Sequence, residues 1–142
     1  MRVIDKLILG TVQFGLDYGV NNTIGKASSA NVKEILDAAT QHGVSLLDSA
    51  ESYGDSHEKI GEYHKKSSNT FQVITKFSPA RLDLPTNIIE RVHTNLKTLN
   101  VESLYSYMFH SYSDYKKFYP NFKKDLEFLR KKNFIKKIGV SL

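Results

Sequence analysis

At 142 residues the chain has the length of one ordinary domain, enough to bury a sizeable core. Its hydrophobic fraction of 40% and charged fraction of 25% are typical of a globular protein, and its lack of cysteine excludes disulfides, thiol catalysis and cysteine-bound metals. Charges interrupt residues 1–6, so no signal peptide is expected, and no apolar run is long enough to span a membrane. A single cytoplasmic unit covering residues 1–142 is therefore predicted.

The net charge of +5 is concentrated near the C-terminal end. Between Lys116 and Lys137 there are nine Lys or Arg but only two acidic residues, with aromatic residues among them. Such a stretch is compatible with nucleic-acid binding. No nucleic-acid motif accompanies it, however, so the favoured interpretation is a helix with aromatic residues inward and lysines in water.

The first third of the chain predicts one strand and one helix. Residues 6–12 form an apolar run that ends near a glycine, as buried strands do, and a long polar loop follows at 13–29. The next helix is predicted to be capped by Ser28 or Ser29 and to end at Gly43 in a left-handed cap. Its apolar residues recur at helical spacing on one face: Val32, Ile35, Leu36 and Ala39.

The middle of the chain repeats the pattern twice. Residues 44–47 predict the second strand, and Ser56 is placed as the N-cap of a short helix through Lys66, with Ile60 and Tyr63 inward. Residues 71–75 predict the third strand, which ends at Lys76. Pro85 is placed in the first turn of the following helix. The predicted inner face of that helix is Ile88 or Ile89, Val92, Leu96 and Leu99.

The last third predicts two further strands around the basic helix. Residues 104–109 form the fourth strand, which reaches His110, and residues 138–141 form the fifth. Pro120 is predicted to begin the basic helix between them. Its inward residues are Phe122, Leu126 and Leu129.

Five strands alternating with four helices, with strands apolar on both faces, predict a parallel sheet of right-handed βαβ units. Either an open doubly wound sheet or part of a (β/α)₈ barrel would have this pattern. The first βα turn, residues 10–15, lacks the glycine spacing of a dinucleotide fingerprint. Polar residues follow the strands at their C-terminal ends, where barrels place their chemistry. The pattern alone nevertheless leaves both folds open.

Four of these polar residues predict a shared site. Asp48, Lys76 and His110 end the second, third and fourth strands, and Tyr53 lies in the loop after the second. Each alone has a structural explanation, as a turn, a packed loop residue, a solvated lysine or a core-edge histidine. Together they should meet at one rim of a parallel sheet. The other histidines lack metal-ligand spacing, so no metal is predicted.

The segment 43–56, followed by Ile60 and Gly61, resembles the signature of the aldo/keto reductases. Segments 9–11, 74–76, 107–110 and 138–141 resemble that family's first, third, fourth and fifth strands. The resemblance implies a TIM (β/α)₈ barrel, NADPH as cofactor and reduction of a small aldehyde or ketone. It implies that the catalytic residues are Asp48, Tyr53, Lys76 and His110, and that Gly10, Thr11, Val12, Asp48 and Ser141 bind the cofactor.

The chain also departs from the family pattern. His57 replaces a frequent acidic residue, Tyr105 and Ser106 replace a more usual Asp and Leu, and Leu142 stands where asparagine is common. The family has eight strands and only five are predicted here. We therefore expect a partial barrel, the N-terminal portion of the fold, with weak NADPH binding because much of the cofactor clamp would lie in the later strands.

The chemistry of the four side chains suits carbonyl reduction, which needs a hydride donor, a proton donor and support for the developing oxyanion. Tyr53 is the predicted proton donor, and a nearby ammonium from Lys76 would favour its ionised form. Asp48 would pair with Lys76, and His110 would orient the substrate oxygen. Tyr18 is a rival proton donor for which no lysine partner can be placed.

The alternative is a non-catalytic half-barrel. Five strands cannot close a barrel, so the two edge strands and an apolar face, predicted to contain Leu7, Leu9, Leu47 and Ile74, would need to be covered. Self-association, pairing with another chain or membership of a longer protein would each provide that cover.

Overall fold

The computed structural model describes residues 6–81 and 87–142. These residues contain five strands and five helices, with two helices between the first two strands, one between each later pair, and a short 3₁₀ turn, Pro79–Arg81, after the third strand. The strands are β1 (Leu9–Gly10), β2 (Leu46–Asp48), β3 (Gln72–Phe77), β4 (Leu104–Phe109) and β5 (Ile135–Val140). The helices are α1 (Val12–Gly15), α2 (Ser29–Gln41), α3 (Ser56–Lys66), α4 (Ile88–Leu99) and α5 (Tyr112–Lys131).

The strands form one parallel sheet in the order β1-β2-β3-β4-β5. Every strand therefore pairs with its neighbour in sequence, and the order never reverses. A doubly wound sheet reverses its strand order at a switch point, whereas a (β/α) barrel does not. The fold-class prediction of a partial barrel is confirmed.

The outer face of the sheet carries the core. Register aligns Leu47 with Val73, and both side chains are fully buried. Further along, Phe77 stacks on Tyr107 with ring centroids 4.4 Å apart and contacts Phe109 at 4.6 Å. Helices cover this face through apolar side chains that are at most 1% exposed: Val32, Leu36, Ile60, Ile88, Val92, Leu99, Leu126 and Leu129.

The inner face has a different composition. Because residues alternate along a strand, the row next to Leu47 and Val73 points to the opposite side of the sheet. That row contains Asp48 and Ile74, which are aligned in register and only partly buried. In β1, Gly10 pairs with Asp48, and a Cβ placed on Gly10 would meet nothing within 4 Å. The sheet is thus open on this side near its first two strands.

The first strand differs from the prediction. Only Leu9 and Gly10 pair with β2, while Leu7 and Ile8 are 52% and 49% exposed. A continuous apolar run becomes a buried strand only where neighbours cover it, and β1 is an edge strand. Leu9 packs against the core and Leu47 is fully buried on the outer face. The prediction of one apolar face shared by Leu9, Leu47 and Ile74 was therefore wrong, because Ile74 lies on the inner face.

Three of the predictions for the helices were also wrong. The predicted loop 13–29 overlaps α1, so the described residues contain five helices and not four. Pro120 lies inside α5, which begins at Tyr112 because the Ser111 hydroxyl caps it by accepting the Asp114 N–H at 3.1 Å. Ile35 is 39% exposed and not part of the buried face of α2.

Of the local predictions for helix ends, two are confirmed and one is wrong. Ser28 caps α2 by accepting the Asn31 N–H at 3.1 Å, and Gly43 has a φ of 80°. Ser56 is the first residue of α3 and not its cap, since the N-cap position is Asp55. The prediction for Pro85 lies outside the described residues, as do residues 1–5. Within the described residues, none of the helices is long and apolar enough to cross a bilayer.

Candidate active site

Lys76 lies at the centre of the predicted site. Its ammonium Nζ donates to Asp48 Oδ1 at 2.6 Å and to the Ser49 carbonyl at 3.0 Å, and the residue is 7% exposed. The contact forms because β2 and β3 are adjacent and Lys76 follows Ile74, the register partner of Asp48, on the same face. A buried cation is costly unless it is paired and hydrogen-bonded, and here it has both kinds of partner.

The Tyr53 ring adjoins the same ammonium. Lys76 Nζ is 5.3 Å from the ring centroid, within the range of a cation–π contact. Two turn-like hydrogen bonds shape its loop: the Tyr53 N–H donates to the Ala50 carbonyl and the Ser56 N–H donates to the Tyr53 carbonyl, both at 3.0 Å. The predicted pairing of Tyr53 with Lys76 is therefore present in space.

Two glycines allow the backbone to pack tightly at this loop. Gly54 has a φ of +52°, in the left-handed region that favours glycine. A Cβ on Gly15, at the end of α1, would lie 1.6 Å from the Tyr53 carbonyl oxygen. The end of the short helix α1, which was not predicted, thus packs directly against the backbone of the Tyr53 loop.

His110 completes the group. It follows β4, where its backbone N–H donates to the Phe77 carbonyl at 2.8 Å. Its ring meets the Tyr53 ring edge to face with centroids 6.2 Å apart. The structure therefore brings together all four predicted catalytic side chains, Asp48, Tyr53, Lys76 and His110, at the C-terminal rim of the sheet. Tyr18, the rival proton donor, is 59% exposed.

The predicted cofactor-binding residues have more varied positions. Gly10 faces open space and lies beside Asp48. Thr11 is fully buried, and its hydroxyl donates to the Asp48 carbonyl at 3.1 Å and accepts from Ser56 Oγ at 3.1 Å. These two hydrogen bonds join the Thr11 side chain to β2 and to the start of α3. Val12 is half-buried at the start of α1, and the Ser141 N–H donates to the Phe109 carbonyl at 2.9 Å beyond β5.

Sequence reasoning missed a polar cluster behind the Tyr53 loop. Glu51 Oε1 accepts from Asn95 Nδ2 at 2.6 Å and from the Tyr107 hydroxyl at 2.8 Å, and Oε2 accepts from Arg91 Nε at 2.5 Å. Burial, followed by the adjacent Glu51 charge, raises the pKa of Tyr107 well above its usual value. One signal was available: Tyr107 lies in a buried strand, and a buried phenol needs a hydrogen-bond partner.

The buried histidines of α3 have structural partners. His57 Nε2 lies 2.9 Å from Thr75 Oγ1, and burial lowers the pKa of His57 to about 4, so the ring is neutral at pH 7. His64 Nδ1 donates to the Leu99 carbonyl at 2.7 Å while its Nε2 accepts from the Phe71 N–H at 3.1 Å. In the part of the chain that the structure covers, no group of three or more His, Asp or Glu side chains could hold a metal ion.

Comparison with known proteins agrees with this arrangement. The aldo/keto reductase family profile matches residues 6–142. The chain therefore belongs to the aldo/keto reductase family. No curated protein was found to match it.

Solved structures show the same fold. A putative aldo-keto reductase from Pseudomonas aeruginosa aligns with a TM-score of 0.76 and 25% identity over 94% of this chain and 54% of its own. An aldo-keto reductase from Klebsiella pneumoniae in complex with NADPH aligns with a TM-score of 0.71 and 21% identity over 95% of this chain and 45% of its own. A glycerol dehydrogenase from Gluconobacter oxydans gives 0.70 and 23%, over 94% and 43%. The chain spans about half the length of these proteins.

Proposed function

We propose that this chain provides the proton-donating side of the active site of an NADPH-dependent reductase acting on a small aldehyde or ketone. The observation that carries the proposal is the placement of one buried ammonium, Lys76 Nζ, between the Asp48 carboxylate and the Tyr53 ring. Family membership supports an oxidoreductase in general. The substrate class and the mechanism for this chain are inferred from the site.

Tyr53 is the proton donor in this proposal. When a carbonyl carbon gains a hydride, its oxygen becomes an alkoxide and must receive a proton. The phenol hydroxyl of Tyr53 can give that proton, and the neighbouring ammonium of Lys76 stabilises the phenolate that remains. Asp48 keeps the ammonium in place through the 2.6 Å contact.

His110 is the orienting residue. It follows β4, which pairs with β3, and its ring meets the Tyr53 ring edge to face. A ring N–H there can donate a hydrogen bond to the substrate oxygen, which would direct that oxygen toward the Tyr53 hydroxyl.

NADPH, when bound, would supply the hydride. The residues present fit one side of a cofactor site, because open space adjoins Gly10 beside Asp48, and Ser141 lies at the same rim beyond β5. Gly10, Val12, Asp48 and Ser141 would contact the cofactor, and Thr11 would hold the rim in shape through its bonds to Asp48 and Ser56.

Replacing Tyr53 by Phe tests the proposal on the 142-residue chain. NADPH oxidation with small aldehydes and ketones should be slow, and the Tyr53→Phe variant should reduce it by roughly 10²–10⁴-fold, the usual contribution of a general acid. NADPH binding, followed by nucleotide fluorescence, should be unchanged. Tyr18→Phe is the matched control, because it removes the same hydroxyl from an exposed tyrosine. An equal loss in both variants, or undiminished activity without the Tyr53 hydroxyl, would contradict the assigned proton donor.

A second candidate is a non-catalytic half-barrel that associates with itself or another chain. The open inner face beside Gly10 and the exposed Leu7 and Ile8 at the β1 edge favour it. Sedimentation velocity, which gives the oligomeric state, separates the two candidates when it is combined with the NADPH measurements. A dimer without NADPH turnover or binding would favour the half-barrel, whereas turnover that depends on Tyr53 would favour the reductase.

A further inference from the structure

The Glu51 carboxylate receives three side-chain hydrogen bonds although it belongs to no part of the predicted site. Asn95 and Tyr107 donate to one oxygen and Arg91 to the other, at 2.6, 2.8 and 2.5 Å. The Glu51 side chain is only 10% exposed. Hydrogen bonds to an ionised carboxylate are roughly twice as strong as hydrogen bonds between neutral groups. Three of them give the Glu51 carboxylate a well-defined position.

These donors come from two different elements. Tyr107 lies on β4, three residues before His110, while Arg91 and Asn95 are one turn apart on α4. The backbone of Glu51 reaches a third element, because its N–H donates to the Lys76 carbonyl of β3 at 3.0 Å. One residue of the loop is thus attached to β3, β4 and α4 at the same time.

The attachment lies two residues before Tyr53 and three after Asp48. Ser49 and Ala50, which lie between Asp48 and Glu51, are 0% and 1% exposed, and the Ser49 N–H donates to the Ile74 carbonyl at 2.9 Å. The Tyr53 N–H then donates back to the Ala50 carbonyl at 3.0 Å. Only Ser52 separates Glu51 from Tyr53, so a displacement of the Glu51 backbone would move Tyr53 with it.

We infer that Glu51 is a positioning residue for Tyr53, which keeps the phenol against the Lys76 ammonium by fixing the loop to β3, β4 and α4. The inference rests on the proposed function, since it gives Tyr53 the role of proton donor. It needs a carboxylate of this length. An amide has one acceptor oxygen where Glu51 uses two, and aspartate would be one methylene too short to reach both Arg91 and Tyr107.

Glu51→Gln is the direct test, with Glu58→Gln as the matched control because Glu58 is an exposed carboxylate in the first turn of α3. In chain carrying ¹³C-labelled tyrosine, the Tyr53 ring resonance is assigned from its loss in Tyr53→Phe. The nuclear Overhauser contact between that ring and the Lys76 side chain should be lost in Glu51→Gln and kept in Glu58→Gln. Retention of the contact in both variants would overturn the inference.

Two further variants separate positioning from general destabilisation. Tyr107→Phe removes one donor but keeps the ring stacked on Phe77, and it should weaken the Tyr53–Lys76 contact without abolishing it. It also provides a foldable substitute if Glu51→Gln does not fold. Leu126→Ala, in the core under α5, should lower stability and leave the contact intact. Loss of the contact in Leu126→Ala would mean that any destabilisation moves Tyr53, and the inference would fail.

The turnover measurement then links the inference to the reaction. If Tyr53 donates the proton, Glu51→Gln should lower kcat by roughly 10–100-fold while KM for NADPH stays nearly constant, as expected for a misplaced catalytic group. A chain that keeps the Tyr53–Lys76 contact but reduces nothing would contradict the proposed function and not the positioning by Glu51. Loss of the ring contact in Glu51→Gln with unchanged kcat would likewise contradict the proton-donor role of Tyr53 and not its positioning by Glu51.

Discussion

The two faces of this sheet differ in packing and in chemistry. On the outer face Leu47, Val73 and Tyr107 are fully buried beneath helices. On the inner face Asp48 and Ile74 remain partly exposed, and open space adjoins Gly10. Burying one large apolar side chain contributes about 1.5–3 kcal/mol, so the outer face is the main source of stability. The inner rim instead holds polar side chains in defined positions, which a reaction requires.

Truncating a side chain on each face should give the largest contrast. Leu47→Ala leaves a cavity under the helices and should lower the free energy of unfolding by about 2–5 kcal/mol. Ile74→Ala removes a partly exposed side chain and should cost about 1 kcal/mol or less. Urea unfolding followed by circular dichroism measures both. Equal losses would mean that the inner face is covered in solution, for example by a second copy of the chain.

The buried His57 of α3, one of the helices on the outer face, should make the free energy of unfolding depend on pH. Its pKa in the folded chain, about 4, lies below its ordinary value of 6.5 because of burial. Between these values the unfolded chain binds a proton that the folded chain does not. The free energy of unfolding is therefore highest above about pH 6.5. It falls by up to ~3 kcal/mol as the pH decreases toward 4.

His57→Asn removes the imidazole that binds this proton. The free energy of unfolding should then change less between pH 6.5 and 4. His64, whose pKa burial also lowers, remains in the variant and accounts for part of the residual slope. Urea unfolding at several pH values gives the comparison. Parallel profiles for the two proteins would show that His57 takes up a proton while still folded.

Adding one methyl group to a glycine gives the smallest contrast. A Cβ on Gly61 of α3 would lie 1.8 Å from the Thr98 carbonyl of α4, so Gly61→Ala must push two helices apart and should cost about 1–3 kcal/mol. Gly10→Ala projects into open space and should be neutral or stabilising by up to about 1 kcal/mol, since it restricts the unfolded chain. Thermal unfolding measures both. A costly Gly10→Ala would indicate that something covers the inner face.

Sequence patterns predicted the central elements well. Residues 104–109 were predicted as a strand and are β4, and Val92, Leu96 and Leu99 form the inner face of α4 as their helical spacing indicated. Such predictions succeed where the apolar period is long and uninterrupted. They failed where the neighbourhood decides the outcome. Edge position leaves β1 with two paired residues, and the Ser111 cap starts α5 ahead of Pro120.

The sequence by itself determined the order of the parallel strands and the polar residues that lie near their C-terminal ends. Asp48, Lys76 and His110 could be grouped in advance because parallel strands present their C-terminal ends at one rim. Only the tertiary structure decided the partners of Glu51, which lie 40, 44 and 56 residues away along the chain. No local spacing encodes such contacts, since they exist only once α4 and β4 pack behind the loop.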